Sequence, residues 1–251
     1  MEKAIVMTSF GTSVPEARVS ITAVEEALKS AAPGYACARA FTSSIIRRIL
    51  AGRGEHVPSL TEALEQLYAD GIRQVVVQPT HLLYGYEYDK LKAEADAFTS
   101  RFEKVTVGRP LLADTGDLQR FAGGLAQTYP ARDGEAVVLM GHGTEHFANV
   151  VYPALQTALH LNGCDNLYIG TVEGWPSFDD VLSQLKERRV LLVPLMLVAG
   201  EHAKKDMAGD SPDSWKSRLE QAGFSVSCSF TGLGLFPWVQ EMYRERLLDV
   251  L

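Results

Sequence analysis

Two histidines follow apolar runs in the second half of the chain. His142 comes two residues after the run 136–140, within the sequence Gly-His-Gly, and His202 comes shortly after the run 190–199. We predict that both runs are buried strands and that both histidines lie just past a strand end, where open α/β sheets place their ligands. The glycines beside His142 allow a sharp turn and leave room beside the imidazole. Two histidines at one sheet edge indicate a metal or proton-transfer site.

A glutamate extends this candidate site. Glu173 lies past the end of a third predicted strand, residues 166–171, in the same half of the chain. Imidazole suits cobalt, nickel, iron or zinc, and a carboxylate adds negative charge and a proton acceptor. One histidine between glycines is more often a hydrogen-bonded structural residue. Three such groups after three strands favour a functional cluster.

Strands and helices alternate along the whole chain, which predicts an α/β fold with mostly parallel sheets flanked by helices. Strands are predicted at 3–8, 35–41, 72–77 and 105–108, and again at 135–140, 166–171, from 190, and at 224–230. A helix is predicted from about residue 15, with Ser13 near its start, and the last helix at 237–248.

The second half repeats the first at residue level. Residues 7–12 align with 139–144, so that Phe10 corresponds to His142, and residues 79–87 align with 194–202, so that Glu87 corresponds to His202. We therefore expect two similar lobes, residues 1–112 and 113–251, facing each other across a central cleft. The C-terminal lobe would carry the metal site.

Composition limits the classes of function. The net charge of −7 argues against a nucleic-acid partner, which needs a basic surface. The three cysteines lack metal-binding or disulfide spacing, no leader segment is visible, and no apolar run is long enough for a bilayer. These features predict a cytoplasmic protein without a membrane partner. Glycine-rich nucleotide motifs are also missing, so no nucleotide or organic cofactor is expected.

The expected edges of the cleft carry aromatic side chains that would suit a flat, conjugated ligand, although aromatic residues equally serve as ordinary core edges. They are Phe10, Tyr84, Tyr86, Tyr88 and Trp175.

Several short motifs together resemble those of the anaerobic-pathway cobalt chelatases, the sirohydrochlorin cobaltochelatases, which are class II chelatases related to ferrochelatase. The motifs are residues 9–13, 40–43, 78–81, 140–144, 170–176 and 200–207. The resemblance implies a bilobal chelatase fold and ATP-independent insertion of Co²⁺, as a substrate metal, into sirohydrochlorin during cobalamin biosynthesis. It also implies that His142, Glu173 and His202 bind the metal and carry the catalysis.

The tetrapyrrole carries many carboxylates, so we expect helix N-termini after Phe10 and His142, together with nearby lysines, to anchor it. The predicted substrate-binding residues are Phe10, Gly11, Thr12, Ser13, Tyr86 and Glu87.

Three alternative functions stay open: an iron or nickel chelatase acting on a related tetrapyrrole, a carrier that binds tetrapyrrole or metal without catalysis, and a bilobal sugar- or amino-acid-binding protein. The helix at 237–248 could pack on its own sheet or form a homo-oligomer.

Overall fold

The computed structural model describes residues 2–251, which form two parallel sheets flanked by helices. The strands are β1 (Lys3–Ser9), β2 (Ala36–Phe41), β3 (Gln74–Pro79), β4 (Lys104–Val107), β5 (Glu135–Gly141), β6 (Leu167–Thr171), β7 (Arg189–Pro194) and β8 (Ser225–Cys228). The helices are α1 (Arg18–Ala31), α2 (Ser44–Ala51), α3 (Leu60–Ala69), α4 (Tyr86–Asp96), α5 (Thr115–Thr128), α6 (Val151–Leu161), α7 (Phe178–Gln184), α8 (Trp215–Gln221) and α9 (Pro237–Leu248).

Both sheets have the same strand order. The first is ordered β2-β1-β3-β4 and the second β6-β5-β7-β8, with every neighbouring pair parallel. The inner strands β1 and β5 are almost continuously apolar, because helices cover both faces of a parallel sheet. The predicted α/β fold with two similar parallel-sheet lobes is confirmed.

The chain divides into two compact units. Unit 1 contains the chain up to Ala113 together with Gly234–Leu251, and unit 2 contains Asp114–Leu233. The sequence-based boundary at 112/113 is close to this division, but it leaves α9 in the second lobe. The structure places α9 in unit 1, because it packs against α1 and buries Tyr243, whose hydroxyl donates a hydrogen bond to the Thr80 carbonyl at 2.7 Å.

The strand before His202 is shorter than predicted. β7 ends at Pro194, and Leu195 then donates its backbone N–H to the Met140 carbonyl as the chain leaves the sheet. A loop follows, and His202 lies at the start of a helical segment that continues as the π-helical turn Ala203–Met207. The expectation that His202 lies just past a strand end is therefore wrong.

The predicted start of the first helix is also wrong. Residues 14–17 form turns, and α1 begins at Arg18, with Ala17 as its N-cap, so Ser13 does not cap it. Among residues 2–251, no helix combines the length and apolar character needed to cross a membrane.

Candidate functional site

The turn that carries His142 depends on glycine at both sides. β5 ends at Gly141, where an added Cβ would lie 2.4 Å from the Tyr152 ring, and Gly143 has a φ of +82°. A Cβ at Gly143 would also lie 2.6 Å from the Gly174 nitrogen. Only glycine therefore fits these positions without a shift of the surrounding chain. Gly11, which the repeat aligns with Gly143, likewise has a positive φ of +98°.

Tyr152, on α6, packs against the turn that carries His142. Its ring is buried, and its hydroxyl accepts a hydrogen bond from the Gly143 N–H at 3.3 Å. Burial raises the pKa of Tyr152, and the hydrogen bond from the Gly143 N–H opposes this shift. The His142 turn consequently rests on a rigid, buried aromatic ring.

The loop that carries Glu173 is joined directly to the His142 turn. The Glu173 N–H donates to the His142 carbonyl at 2.8 Å. The Asn149 side chain accepts from the Thr144 N–H at 3.0 Å and donates to the Trp175 carbonyl at 2.6 Å. Asn149 therefore connects the two loops that position His142 and Glu173.

His202 is held through the segment that follows it. Ala203 and Met207 are fully buried in the core of unit 2, next to Trp215. The His202 Nδ1 atom lies 2.7 Å from the Asp206 Oδ2 atom, four residues further along the chain. The helical backbone thus places Asp206 on the same face as His202.

The three predicted site residues lie close together in unit 2. The His142 and His202 rings are nearly perpendicular, at 87°, with their centroids 4.6 Å apart. The Glu173 Oε2 atom is 3.8 Å from the His142 Nδ1 atom. The side chains of His142, Glu173 and His202 are 43%, 61% and 38% exposed, so all three are accessible to a ligand.

The hydrogen bonds at the two Nδ1 atoms define which ring nitrogens are free. The His142 Nδ1 atom is 2.9 Å from the Gly143 carbonyl oxygen, and the His202 Nδ1 atom faces a carboxylate. Both oxygens can only accept, so both Nδ1 atoms carry the proton. In a neutral ring, Nε2 then has a lone pair available for a divalent ion.

The side chains of His142, Glu173 and His202 are close together, but in this structure they are not arranged around one metal position. In the described part of the chain, no three or more His, Cys, Asp or Glu side chains are arranged so that they could hold a metal ion. Glu173 approaches the Nδ1 edge of His142, whereas the free lone pair is on Nε2. Glu173 would have to rotate to join the two imidazoles around an ion, and its high exposure leaves room for that rotation.

Three supporting residues were not identified from the sequence: Tyr152, Asn149 and Asp206. Tyr152 and Asn149 lie in ordinary helical stretches, so only the folded contacts reveal their roles. Asp206 could have been identified from the sequence, because a carboxylate four residues after a histidine in a helix can contact the histidine ring.

The predicted substrate-binding residues of unit 1 differ in exposure. Phe10 is 48% and Tyr86 60% exposed, whereas Thr12 and Ser13 are buried. Thr12 Oγ1 accepts from the Val14 N–H, and the Ser13 carbonyl accepts from Arg53. The helices expected after Phe10 and His142 begin several residues beyond them: α1 begins at Arg18, and α6 begins at Val151, after the 3₁₀ turn Phe147–Val150.

His81 lies two residues after the end of β3. Both of its ring nitrogens are buried and have no hydrogen-bond partner among the described residues, and the same holds for Glu87 Oε2. Burial lowers the pKa of His81 to about 4, and the nearby Glu87 charge opposes this shift. The ring is therefore neutral at pH 7.

This architecture defines a class II chelatase-like α/β protein: two similar parallel-sheet units, with paired histidines and a carboxylate in the second. A solved structure of SirB from Bacillus subtilis with Fe³⁺ has a related fold, with a TM-score of 0.66 at 17% identity, over 99% of this chain and 95% of that one.

Sequence comparison identifies the family. The model of the cobalt chelatase (CbiK) family matches residues 3–251, and the chain belongs to that family. It is 36% identical to the sirohydrochlorin cobaltochelatase of Salmonella typhimurium, over all of this chain and 97% of that protein. It is 38% identical to sirohydrochlorin cobaltochelatase CbiKC of Nitratidesulfovibrio vulgaris, over 98% of this chain and 89% of that protein.

Proposed function

We propose that this protein inserts Co²⁺ into sirohydrochlorin without ATP, as a step in cobalamin biosynthesis. Family membership supports the reaction class, and the names of the two relatives support the metal and the tetrapyrrole. The observation that carries the proposal is the pair of histidine rings 4.6 Å apart, each with Nδ1 engaged and Nε2 left for an ion.

Insertion replaces two pyrrole N–H protons of the macrocycle by one divalent ion, so two protons must leave. In the proposed mechanism, the Nε2 atoms of His142 and His202 bind the hydrated ion, and Glu173 rotates in to balance its charge. As the ion passes to the pyrrole nitrogens, the released imidazoles and the Glu173 carboxylate become free to accept protons. All three residues therefore serve as metal ligands, and one or more of them also as a proton acceptor.

We further propose that unit 1 contributes to tetrapyrrole binding through Phe10, Gly11, Thr12, Ser13, Tyr86 and Glu87. The exposed rings of Phe10 and Tyr86 offer apolar surface to a flat macrocycle. Gly11, Thr12 and Ser13 would act mainly by shaping the backbone beside Phe10, because the Thr12 and Ser13 side chains are buried. Glu87 Oε2 is buried without a hydrogen-bond partner among residues 2–251, so the side chain would have to turn outward to accept a hydrogen bond from a pyrrole N–H.

The proposal is tested by an absorbance time course with sirohydrochlorin and Co²⁺, compared with a blank without enzyme because insertion also occurs spontaneously. We expect enzyme-dependent insertion that His142→Ala and His202→Ala reduce to the blank rate. His160→Ala, which removes a histidine from the exposed end of α6, is the matched control and should keep the wild-type rate. A wild-type rate in the double variant His142→Ala/His202→Ala would contradict the assignment.

A carrier that binds metal or tetrapyrrole without catalysis is separated from an enzyme by Glu173→Gln. A carrier needs ligands but no proton acceptor. This substitution should leave tetrapyrrole binding within a few-fold of wild type and weaken Co²⁺ binding by the loss of one ligand charge. At saturating Co²⁺ it should slow insertion by about 10²-fold or more if Glu173 accepts a proton. Parallel reactions with Fe²⁺ and Ni²⁺ rank the metals, since all three ions suit imidazole ligands.

We also propose a cytoplasmic location and leave a homo-oligomer as a possibility to be tested. Cys37, Cys164 and Cys228 are all free thiols, which is usual for proteins of the cytosol. Light scattering of the purified protein would determine its oligomeric state.

A further inference from the structure

The Asp206 carboxylate forms a hydrogen bond with the ring of His202. Its Oδ2 atom lies 2.7 Å from His202 Nδ1, and His202 is its only hydrogen-bond or ion-pair partner within residues 2–251. The neighbouring Lys205 pairs instead with Glu201, at 2.8 Å. The Asp206 carboxylate is thus hydrogen-bonded to the imidazole, and its electrostatic interaction with Lys205 is smaller than that of Glu201.

The two histidines of the site are oriented by different acceptors. His142 Nδ1 faces the backbone carbonyl of Gly143, which is part of the turn itself. His202 Nδ1 faces a side-chain carboxylate, carried by a π-helical turn whose Ala203 and Met207 are fully buried. The burial of Ala203 and Met207 therefore holds the backbone of His202 and Asp206 in place. The orientation of the His202 ring then depends on the Asp206 carboxylate.

We propose that Asp206 is a positioning residue that holds His202 in its Nδ1–H tautomer and keeps the Nε2 lone pair directed to the incoming divalent ion. A carboxylate only accepts hydrogen bonds, so the contact keeps the proton on Nδ1 and leaves the Nε2 lone pair free. Carboxylates that orient a metal-binding histidine in this way typically contribute about 10–100-fold in metal affinity or activity. This role rests on the proposed function, in which His202 receives the metal.

Three variants of Asp206 separate charge from hydrogen bonding. Asp206→Ala removes the acceptor. Asp206→Asn keeps the shape, but its amide can turn its N–H₂ group toward the ring and favour the opposite tautomer, in which Nε2 carries the proton. Asp206→Glu keeps the carboxylate and should recover part of the function. Glu220→Gln is the matched control, because Glu220 pairs with Lys216 at the same four-residue spacing in unit 2 and is similarly exposed.

The first measurement is the ¹⁵N NMR spectrum of the His202 ring, at a pH where the ring is neutral and with no metal added. The Nδ1–H tautomer should dominate in the wild type and in Glu220→Gln, and the Nε2–H tautomer should gain population in Asp206→Ala and Asp206→Asn. The second is Co²⁺ binding in the absence of tetrapyrrole, which we expect to weaken about 10–100-fold in the same two variants. Near-ultraviolet circular dichroism identifies any variant that has lost its fold.

An unchanged tautomer together with wild-type Co²⁺ affinity in a folded Asp206→Ala variant would overturn the role of Asp206. Failure of the proposed function looks different: the wild type would not accelerate insertion, while the tautomer and the Co²⁺ affinity would still depend on Asp206.

Discussion

The side chains that surround a histidine decide how it can be used, and three histidines of this chain illustrate the range. His142 and His202 are about 40% exposed and keep Nε2 free, because Nδ1 is hydrogen-bonded. Both ring nitrogens of His81 are buried and lack a hydrogen-bond partner among residues 2–251. The sequence identified the first two because each follows an apolar run in the second half of the chain. It could not distinguish a hydrogen-bonded His81 from an unpartnered one, since that depends on which distant groups pack against the ring.

His81 should make the stability of the protein depend on pH. Other atoms of the residue are partly exposed, but the buried ring nitrogens govern its protonation, and its folded pKa of about 4 lies below the ordinary value of ~6.5. As the pH falls below ~6.5, the unfolded chain takes up a proton that the folded chain does not. The free energy of unfolding should therefore decrease between pH ~6.5 and 4, by up to about 3 kcal/mol from this residue.

Urea unfolding of the wild type and of His81→Gln at pH 7 and pH 4.5 measures this contribution. The decrease in the free energy of unfolding between the two pH values should be smaller in His81→Gln, whatever the substitution costs at pH 7. His56→Gln, at an exposed position in the same unit, should retain the wild-type decrease. Equal decreases in the wild type and His81→Gln would show that His81 is protonated equally in both states.

At the scale of elements, the internal repeat was the most informative feature of the sequence. It predicted two similar parallel sheets, and the glycines that it aligned, Gly11 and Gly143, both adopt positive φ. Apolar periodicity also located the strands and the last helix to within a few residues. The same patterns failed after β7, where the apolar run continues beyond Pro194 although the strand ends there. Apolar residues in a buried loop look like strand residues in the sequence, because both positions exclude water.

Side chains from α6 and its preceding turn connect the loops at the site by hydrogen bonds. Asn149 is the clearest case: it bridges Thr144 in the His142 turn and Trp175 in the Glu173 loop. A Cβ at Gly174 would lie 2.5 Å from Asn149 Oδ1, so the two loops pack directly against this side chain. No sequence motif marks Asn149, because its partners are five and 26 residues away.

Asn149→Ala should lower both stability and insertion. The loss of two hydrogen bonds should reduce the free energy of unfolding by about 1–3 kcal/mol. Insertion should slow more than this loss of folded protein explains, because the loops carrying His142 and Glu173 lose their connection. Thermal unfolding and the Co²⁺ time course measure the two effects. Asn162→Ala, at the exposed end of α6, is the control. Wild-type insertion by the folded Asn149→Ala variant would show that the loops keep their geometry unaided.

At the scale of the whole molecule, the chain crosses between its units twice. It passes from unit 1 to unit 2 near Ala113 and returns at Gly234, so that unit 2 is continuous in sequence and unit 1 is not. The internal repeat could not predict that the chain returns to unit 1, since it aligns no segment of the first half with α9. Its helical bounds could be read from its residues, but its partner, α1, lies more than 200 residues earlier and is revealed only by packing.

The discontinuity predicts that residues 1–113 cannot fold without α9. The helix fully buries Val239, Tyr243 and Leu247, and nearly buries Met242. At ~1.5–3 kcal/mol for each buried large apolar side chain, these four contribute about 6–12 kcal/mol as an upper estimate. That is comparable with the whole stability of a typical domain, ~5–15 kcal/mol. The isolated fragment 1–113 should therefore lack a cooperative thermal transition.

Adding a peptide of residues 234–251 in excess to fragment 1–113 should restore that transition, which circular dichroism would follow. A peptide with Tyr243→Ala is the matched control, because it loses the buried ring and the hydrogen bond to the Thr80 carbonyl while keeping the rest of the helix. It should restore the transition only at far higher concentration. Cooperative unfolding of fragment 1–113 alone, unaffected by either peptide, would show that α9 only covers a unit that is already stable. Dependence on the native peptide would make α9 an integral part of the fold of unit 1.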